Sequence, residues 1–206
     1  LSNPDNPMGT FHPKNRMQEF IDKIPDYTIL CLDEAYADFV DKDELASIDL
    51  EKENVIRFRT FSKAYGLAGL RVGYGIGNKK MVKAFNKVRN HFGVNKLGQI
   101  AAKVALEDQD HLKTVLKKVD QSKKEIGAVF KKFGFTSLSS RTNFVPINSG
   151  GDGKFAAKLM SRLIQEKIFV RMPSVSPLNS FIRITAGTND DLKVLHDAMN
   201  KIIKEI

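Results

Sequence analysis

The chain has 206 residues, 42% of them hydrophobic, a formal net charge of +9 and a single cysteine. This length suits one large domain or two modest ones with a real core, and no apolar run is long enough to span a bilayer. A lone cysteine excludes an internal disulfide, and no signal-peptide pattern opens the sequence. We therefore expect a cytoplasmic protein without a membrane partner. Cys31, which stands among Ile29, Leu30 and Leu32, is expected to be a buried thiol.

The positive charge fits nucleic-acid binding, affinity for anionic metabolites, or lysine-rich helix surfaces. Seven lysines recur in one helical stretch opposite an apolar stripe, a pattern typical of a solvated face. Stacking of bases would require aromatic residues that alternate with these lysines, and none do. We expect no nucleic-acid partner. The seven are Lys113, Lys117, Lys118, Lys123, Lys124, Lys131 and Lys132.

The first half of the chain alternates short apolar runs with helical patterns. A helix is predicted after Pro13, and a buried strand from Tyr27 to Leu32 ends at Asp33. After a polar loop come strands near 55–60 and 71–76 and helices near 81–88 and 95–106. This alternation predicts a mainly parallel α/β sheet, in which ligands bind beyond the carboxyl ends of the strands. Asp33 and Lys63 both fall just past a predicted strand end.

The second half has a different pattern. A long amphipathic helix over about 112–133 leads into strands near 143–147, 168–171 and 181–185. A helix over about 155–164 follows a glycine-rich turn, and Thr188 with Asp191 predicts a capped final helix. The apolar stripe of that helix is Leu192, Leu195, Met199, Ile202 and Ile206. We predict a large α/β domain over residues 1–104 and a small α+β domain over residues 105–206.

Three motifs carry the chemistry: NPDNPMG at 3–9, LDEAY at 32–36 and RTFSKAYGLAGLR at 59–71. The last one places Lys63 after hydroxyl side chains and before a glycine-rich turn that ends in Arg71. Such a setting suits an amine that attacks a carbonyl beside a bound phosphate. Taken in order, the motifs resemble the signature of fold-type I pyridoxal-phosphate aminotransferases of class I/II. Within that family the resemblance is closest to the histidinol-phosphate aminotransferase branch.

The resemblance implies pyridoxal 5'-phosphate as the cofactor and gives Lys63 two tasks: covalent attachment of the cofactor and transfer of the substrate proton. It implies that Asp33 keeps the ring nitrogen protonated, because a strand-end carboxylate needs a cationic partner. The adjacent Glu34 is the rival, but strand alternation turns it to the other face. Without the motifs, Lys63 would be a surface lysine and Asp33 a strand-end cap.

The remaining cofactor contacts are also implied by the resemblance. Asn6 and Tyr36 would donate to the phenolic oxygen of the ring, while the Asn3-Pro4 pair is ordinary turn chemistry. Tyr36 could also be simple packing. The cofactor phosphate would be held by Thr60, Ser62 and Arg71, since hydroxyls and a planar guanidinium match phosphate oxygens.

Two arginines and an asparagine are candidates for substrate binding. Arg183 stands alone inside an apolar strand pattern, where a buried guanidinium needs an anion. The resemblance gives it the acidic group of the substrate, a carboxylate or the phosphate of histidinol phosphate. Arg171 would assist with that phosphate, or else form an internal ion pair. Asn95 matches an asparagine near the family's site.

Other patterns predict no further site. The run GYGIG at 73–77 lacks the third glycine and helix start of a dinucleotide fingerprint. His12, His91, His111 and His196 have no metal-ligand spacing with one another or with Cys31, so no metal is expected.

The resemblance runs from Asn3 to the last helix, and in the family the Asn-Pro motif lies well inside the large domain. It therefore implies the C-terminal portion of an enzyme whose N-terminal part is lacking. The implied reaction is transamination of histidinol phosphate with 2-oxoglutarate and glutamate, in histidine biosynthesis and by a homodimer. The alternatives are an aromatic amino-acid aminotransferase, a lyase or decarboxylase using the same cofactor, and an inactive fragment.

Overall fold

The computed structural model describes residues 1–205. It divides into two compact units: unit 1 comprises Leu1–Asp5 and Thr10–Val115, and unit 2 comprises Asn6–Gly9 and Leu116–Ile206. Ile206, the last position of the predicted final stripe, lies outside the described residues. No helix of residues 1–205 has both the length and the apolar character that a bilayer crossing requires.

Unit 1 contains three strands and three helices, and the first turns of a fourth helix. The strands are β1 (Leu30–Asp33), β2 (Val55–Thr60) and β3 (Gly73–Gly77). The helices are α1 (Lys14–Asp22), α2 (Lys79–Val88), α3 (Lys96–Glu107) and the beginning of α4 (Gln109–Lys132). The predicted polar loop after β1 contains two short 3-10 turns, Ala37–Phe39 and Lys42–Glu44.

The α/β fold class is as predicted, and the sheet of unit 1 combines parallel and antiparallel pairing. β1 pairs in parallel with β2 from Leu30↔Val55 to Asp33↔Phe58. The chain start lies parallel to β1 on its other side, through backbone bonds of Asp33 to Leu1 and of Asn3 to Asp33. Only β3 is antiparallel to its neighbour, β2. The side chain of Asn3 bonds the backbone of His12, nine residues on, in both directions.

One face of β1 is packed and the other is exposed. Leu30, Leu32 and Val55 form a core with Met17 and Ile21 of α1. Cys31 alternates with the two leucines, so its side chain turns to the opposite face and is exposed. The prediction of a buried thiol is wrong for this reason.

Strand β1 begins later than predicted. Tyr27 is 90% exposed and Ile29 65% exposed, and the strand starts only at Leu30. The backbone N–H of Thr28 donates to the carbonyl of Pro25 and closes a turn. The Asn54 side-chain amide holds this turn by donating to the carbonyls of Pro25 and Thr28. The apolar run therefore starts in a turn that a buried asparagine fixes.

The glycines of 73–77 belong to β3 and have a packing role. Gly73, Gly75 and Gly77 pair with Thr60, Phe58 and Ile56 of β2. A Cβ at Gly73 would lie 2.8 Å from the backbone oxygen of Arg59, closer than side-chain carbons approach. The spacing of these glycines reflects close strand contact.

Unit 2 is a small α+β fold. Its antiparallel sheet has the order β4 (Thr136–Ser137), β5 (Phe144–Asn148) and β6 (Phe181–Thr185). α5 (Gly153–Gln165) and α6 (Asn189–Ile202) pack with α4 against it. The centre of this core is fully buried and includes Phe130, Ile147, Leu159, Ile182 and Met199.

Two local predictions for unit 2 have opposite outcomes. The capped final helix is confirmed, because Thr188 and Asp191 form a reciprocal capping box at the start of α6. The strand predicted at 168–171 is wrong. Only Arg171 pairs there, by a single bridge to Arg183, and Pro173 lacks the N–H that would continue the ladder.

A buried ionic cluster lies next to the ends of β1 and β2. The Glu34 side chain is 3% exposed, and its Oε2 lies 2.7 Å from Nε of Arg57 and 2.9 Å from a terminal nitrogen of Arg59. Asp38 lies 3.9 Å from Arg59. Burial raises the pKa of Glu34, and the two arginines offset part of that rise. The desolvation cost therefore offsets much of the ionic attraction, so the intact cluster adds little to the free energy of unfolding.

Removing one charge from this cluster is expected to be costly. Glu34→Gln leaves two largely but not fully buried guanidiniums without their main counter-charge, so we expect it to lower the free energy of unfolding by roughly 3 kcal/mol. Urea denaturation measures the loss. Glu19→Gln is the control, because Glu19 forms an exposed pair with Lys23 on α1 and should cost less than about 0.5 kcal/mol. Equal losses in the two variants would contradict the assignment.

Candidate active site

Asp33 and Lys63 lie at one edge of the sheet of unit 1. β1 and β2 are parallel, so their carboxyl ends meet at the same edge. Asp33 ends β1, and Lys63 stands three residues beyond Thr60, the end of β2. Asp33 pairs with Phe58, so the side chains of Asp33, Phe58 and Thr60 are on the same face. At β1 this face is exposed and lies opposite the core with α1.

Lys63 is held in a tight turn. Its carbonyl accepts a bond from the backbone N–H of Gly66, and Leu67 donates to the carbonyl of Phe61. Gly66 has a φ of +69°, a conformation that costs glycine little. The buried Phe61 ring packs against Tyr65 and Tyr74 and anchors the turn. The lysine therefore projects from a fixed backbone.

The Lys63 ammonium has an aromatic neighbour. Its Nζ lies 5.3 Å from the ring centroid of Tyr36, a cation–π contact, and the tyrosine is 6% exposed. No carboxylate among residues 1–205 lies within ion-pair distance of this ammonium. The nitrogen is thus positioned by packing and is not neutralised by an acid.

Thr60, Ser62 and Arg71 line one open depression of unit 1, together with Gly73 and Gly75. The Thr60 hydroxyl lies 2.9 Å from the Ser62 hydroxyl and also accepts a bond from the Ser62 backbone N–H. The three side chains predicted to hold a phosphate therefore converge. Two hydroxyls and a guanidinium match the oxygens of a phosphate monoester.

Arg71 has an unusual backbone. Its φ of 56° places it in the left-handed region, which is uncommon for a non-glycine residue and is often found at functional sites. One guanidinium nitrogen donates to the carbonyl of Ala68 at 2.9 Å, and the side chain is exposed. That bond fixes the direction of the guanidinium and leaves its other N–H groups available.

Asp33 caps the end of its own strand. One carboxylate oxygen, Oδ1, accepts the backbone N–H of Ala35 at 2.9 Å, and the side chain is exposed. The second oxygen is available to a cation. The predicted alternation holds as well, because Glu34 is buried in its ionic cluster while Asp33 is exposed. The cap and the predicted cofactor contact are thus compatible.

Asn95 has a structural role. Its Oδ1 caps α3 by accepting the N–H of Gly98, and its Nδ2 donates to the carbonyl of Leu70. These bonds tie α3 to the chain just before Arg71. The expected contact of Asn95 with substrate stays a prediction. The Asn95 amide has one N–H left that could donate to a substrate.

In unit 2, Arg183 has a polar and an aromatic partner. Its guanidinium donates to Oδ1 of Asn6 and lies 4.7 Å from the ring centroid of Phe144. Its Nε is buried and has no hydrogen-bond partner within the described chain. The Asn6 side chain thus uses its Oδ1 to accept this bond, and its Nδ2 can donate elsewhere. The Phe144 contact was missed from the sequence, because no local pattern links two neighbouring strands.

Arg171 and Arg183 form a cross-strand pair. Their backbones exchange N–H···O bonds, so the two side chains lie on the same face. Arg171 stacks on Phe169, with 4.8 Å between the guanidinium carbon and the ring centroid. Neither arginine has an ion pair among residues 1–205, so the alternative of an internal ion pair for Arg171 finds no support there. Two like charges directly opposite each other are unfavourable unless an anion joins them.

Potential metal ligands do not cluster in residues 1–205: no group of three His, Cys, Asp or Glu side chains comes together there. The polar groups that do converge are cationic and hydroxylic, and they suit anions.

Comparison with known proteins gives a consistent result. The model of the family "Aminotransferase class I and II" matches residues 1–199. A histidinol-phosphate aminotransferase 2 of Carboxydothermus hydrogenoformans is 36% identical, over 91% of this chain and 52% of its own. The histidinol-phosphate aminotransferase of Sinorhizobium meliloti, solved with pyridoxal-5'-phosphate, is 44% identical with a TM-score of 0.97, over 100% of this chain and 57% of its own.

A third relative is a decarboxylase by name. The L-threonine-O-3-phosphate decarboxylase of Porphyromonas gingivalis is 25% identical with a TM-score of 0.82, over 99% of this chain and 63% of its own. The chain spans about half the length of the curated relatives it matches. Because the family model covers nearly all of the sequence, the chain belongs to the class I and II aminotransferases.

Proposed function

We propose that this chain supplies the lysine, the phosphate contacts and the substrate arginines of a pyridoxal-5'-phosphate-dependent aminotransferase. The observation that supports it best is the convergence of Thr60, Ser62 and Arg71 on one depression. Lys63 follows directly on the same turn and has no acid partner in the described chain. A phosphorylated aldehyde needs both a phosphate cradle and a nearby amine.

Pyridoxal 5'-phosphate, when bound, supplies an electron sink for the carbanion left after loss of a Cα proton. In this proposal Lys63 attaches the cofactor, and its Nζ, once released, takes and returns the substrate proton. The Asp33 carboxylate keeps the proton on the ring nitrogen. Tyr36 donates to the phenolic oxygen, and Asn6 is assigned the same task through its Nδ2.

The acidic group of the substrate is assigned to Arg183, with Arg171 as the second cation. Their cross-strand placement presents two guanidiniums on one face, which suits a doubly charged phosphate better than a single carboxylate. We propose histidinol phosphate as the amino donor and 2-oxoglutarate as the acceptor, in histidine biosynthesis. The proposed assembly is a homodimer. The names of the relatives that are 36% and 44% identical support this choice.

A decarboxylase is the second candidate, since one relative that matches 99% of this chain is named as such. Aromatic amino-acid transamination uses the same lysine and aspartate. Product analysis separates these functions: transamination of histidinol phosphate converts 2-oxoglutarate to glutamate, whereas decarboxylation of an amino acid releases CO₂. Glutamate formed only with an aromatic amino acid would exclude the phosphate substrate, and an absence of both products would favour an inactive fragment.

The role of Lys63 can be tested by covalent trapping. After mixing with pyridoxal 5'-phosphate and reduction with borohydride, the peptide that contains Lys63 should carry the added mass, because its amine is the one positioned beside the phosphate contacts. Lys63→Ala should lose this label. Lys79→Ala, which removes an exposed lysine at the start of α2, should keep it. Equal labelling of many lysines would contradict the assignment.

Arg71 should determine cofactor affinity. Arg71→Lys keeps the charge but removes the planar fork, so we expect the Kd for pyridoxal 5'-phosphate to rise about tenfold or more. Fluorescence titration measures this. Arg89→Lys is the matched control, because Arg89 is exposed and its side chain donates to its neighbour Asn86. An unchanged Kd for Arg71→Lys would remove this arginine from the phosphate site.

Arg183 and Arg171 should bind the anionic end of the substrate. Arg183→Leu and Arg171→Leu are each expected to raise the Kd for histidinol phosphate about tenfold or more, because each removes a charge-assisted bond. Calorimetric titration gives the values. Lys158→Leu removes an exposed charge from α5 and should change nothing. If all three variants weaken binding equally, the effect is one of net charge, and the two arginines form no specific site.

A further inference from the structure

The sheet of unit 2 is extended beyond β6 by one short stretch of chain. Arg171 bridges Arg183 of β6, and the side chains before Arg171 alternate between the two faces. Val170 is 4% exposed and belongs to the core of unit 2, together with Ile182 of β6. Because side chains alternate along an extended chain, Phe169 and Arg171 lie on the opposite, outer face. The inner face of this sheet thus belongs to the core, and the outer face carries the two arginines.

Four side chains form a row across that outer face. Phe144 of β5 stands diagonally next to Arg183, because the direct cross-strand partner of Arg183 is Pro146. The ring centroid of Phe144 lies 4.7 Å from the guanidinium carbon of Arg183. The ring centroid of Phe169 lies 4.8 Å from the guanidinium carbon of Arg171. The order across the sheet is therefore aromatic, cation, cation, aromatic.

The aromatic partners hold the two guanidiniums in a way that acidic partners would not. An acid would neutralise the charge and would occupy N–H donors. A cation–π contact is made with the face of a ring, so it leaves the charge and the donors available to an anion. Within residues 1–205 neither arginine has an ion pair. The two cations are thus held in place and are still able to bind an anion.

Of the two arginines, Arg171 depends more on its ring. Two guanidiniums on one face repel each other, and the repulsion favours rotamers that separate them. Arg183 is half-buried and is fixed by Asn6 as well as by Phe144. Arg171 is exposed, and its guanidinium stacks on Phe169. The Phe169 ring therefore restricts the arginine that has the greater rotamer freedom to lose.

Phe169 is a surface residue that core packing does not explain, because its side chain is 73% exposed. Single exposed apolar residues are common on proteins, so its position alone would carry no meaning. The stacked guanidinium gives this residue a contact that an aliphatic side chain cannot make, since the attraction comes from the quadrupole of the ring. The aromatic character of residue 169 is thus the property to explain.

We propose that Phe169 is a positioning residue for the phosphate of the substrate, because its ring holds the Arg171 guanidinium beside Arg183. A doubly charged phosphate monoester relieves the repulsion between the two arginines, and a single carboxylate relieves it only in part. Phe169 thereby favours a phosphate ligand without touching it. The inference rests on the proposed assignment of Arg171 and Arg183 to the substrate phosphate.

Calorimetric titration of Phe169 variants with histidinol phosphate tests this role. An exposed cation–π contact changes an equilibrium about two- to fivefold, so Phe169→Leu should raise the Kd by that factor, whereas Phe169→Tyr and Phe169→Trp should not raise it. Binding of histidinol, which lacks the phosphate, should not depend on residue 169. Tyr27→Leu is the control, because it removes an aromatic side chain that is 90% exposed in unit 1. A Kd raised equally by Phe169→Leu and Phe169→Tyr would overturn the inference.

A double variant shows whether the ring acts through Arg171. Arg171→Leu should raise the Kd about tenfold or more, and adding Phe169→Leu to it should weaken binding no further. A further loss in the double variant would mean that Phe169 contacts the ligand itself, which contradicts a positioning role. If Arg171→Leu weakens binding and Phe169→Leu does not, the positioning role fails and the proposed function stands. If neither variant weakens binding, the substrate role of Arg171 fails and the inference fails with it.

Discussion

The parallel pairing of β1 with β2 is the constraint on which the candidate site depends. Its register sets Asp33 opposite Phe58, so the carboxylate and the Thr60 hydroxyl share a face and an edge. A slip of one residue would exchange Asp33 with Glu34 and turn the carboxylate into the packed face. The leucines of β1, buried against α1, oppose such a slip because they would become exposed.

The two faces of this edge have different electrostatic characters. Glu34 is enclosed by Arg57 and Arg59 and has no capacity for an external cation. Asp33 keeps one oxygen available, and Lys63 is positioned by an aromatic ring. Adjacent residues in the sequence thus have separate tasks: one acid fixes the strand ends, and the other is available to a ligand.

Much of this arrangement could be predicted because it is local. The position of Lys63 after β2 and the cap at Thr188 follow from short motifs. The prediction of a buried Cys31 was wrong because apolar neighbours do not reveal which face of a strand is covered. The prediction of a strand at 168–171 was wrong because strand pairing depends on a partner that is distant in the sequence. The Arg183–Phe144 contact joins neighbouring strands, so no sequence spacing reveals it.

A crystal structure of the protein with pyridoxal 5'-phosphate tests the central claim most directly. Density should be continuous from the Nζ of Lys63 to the cofactor, with the ring nitrogen within about 3 Å of the Asp33 carboxylate. A cofactor bound through another lysine, or a ring nitrogen facing away from Asp33, would contradict the assignment of this edge as the cofactor site.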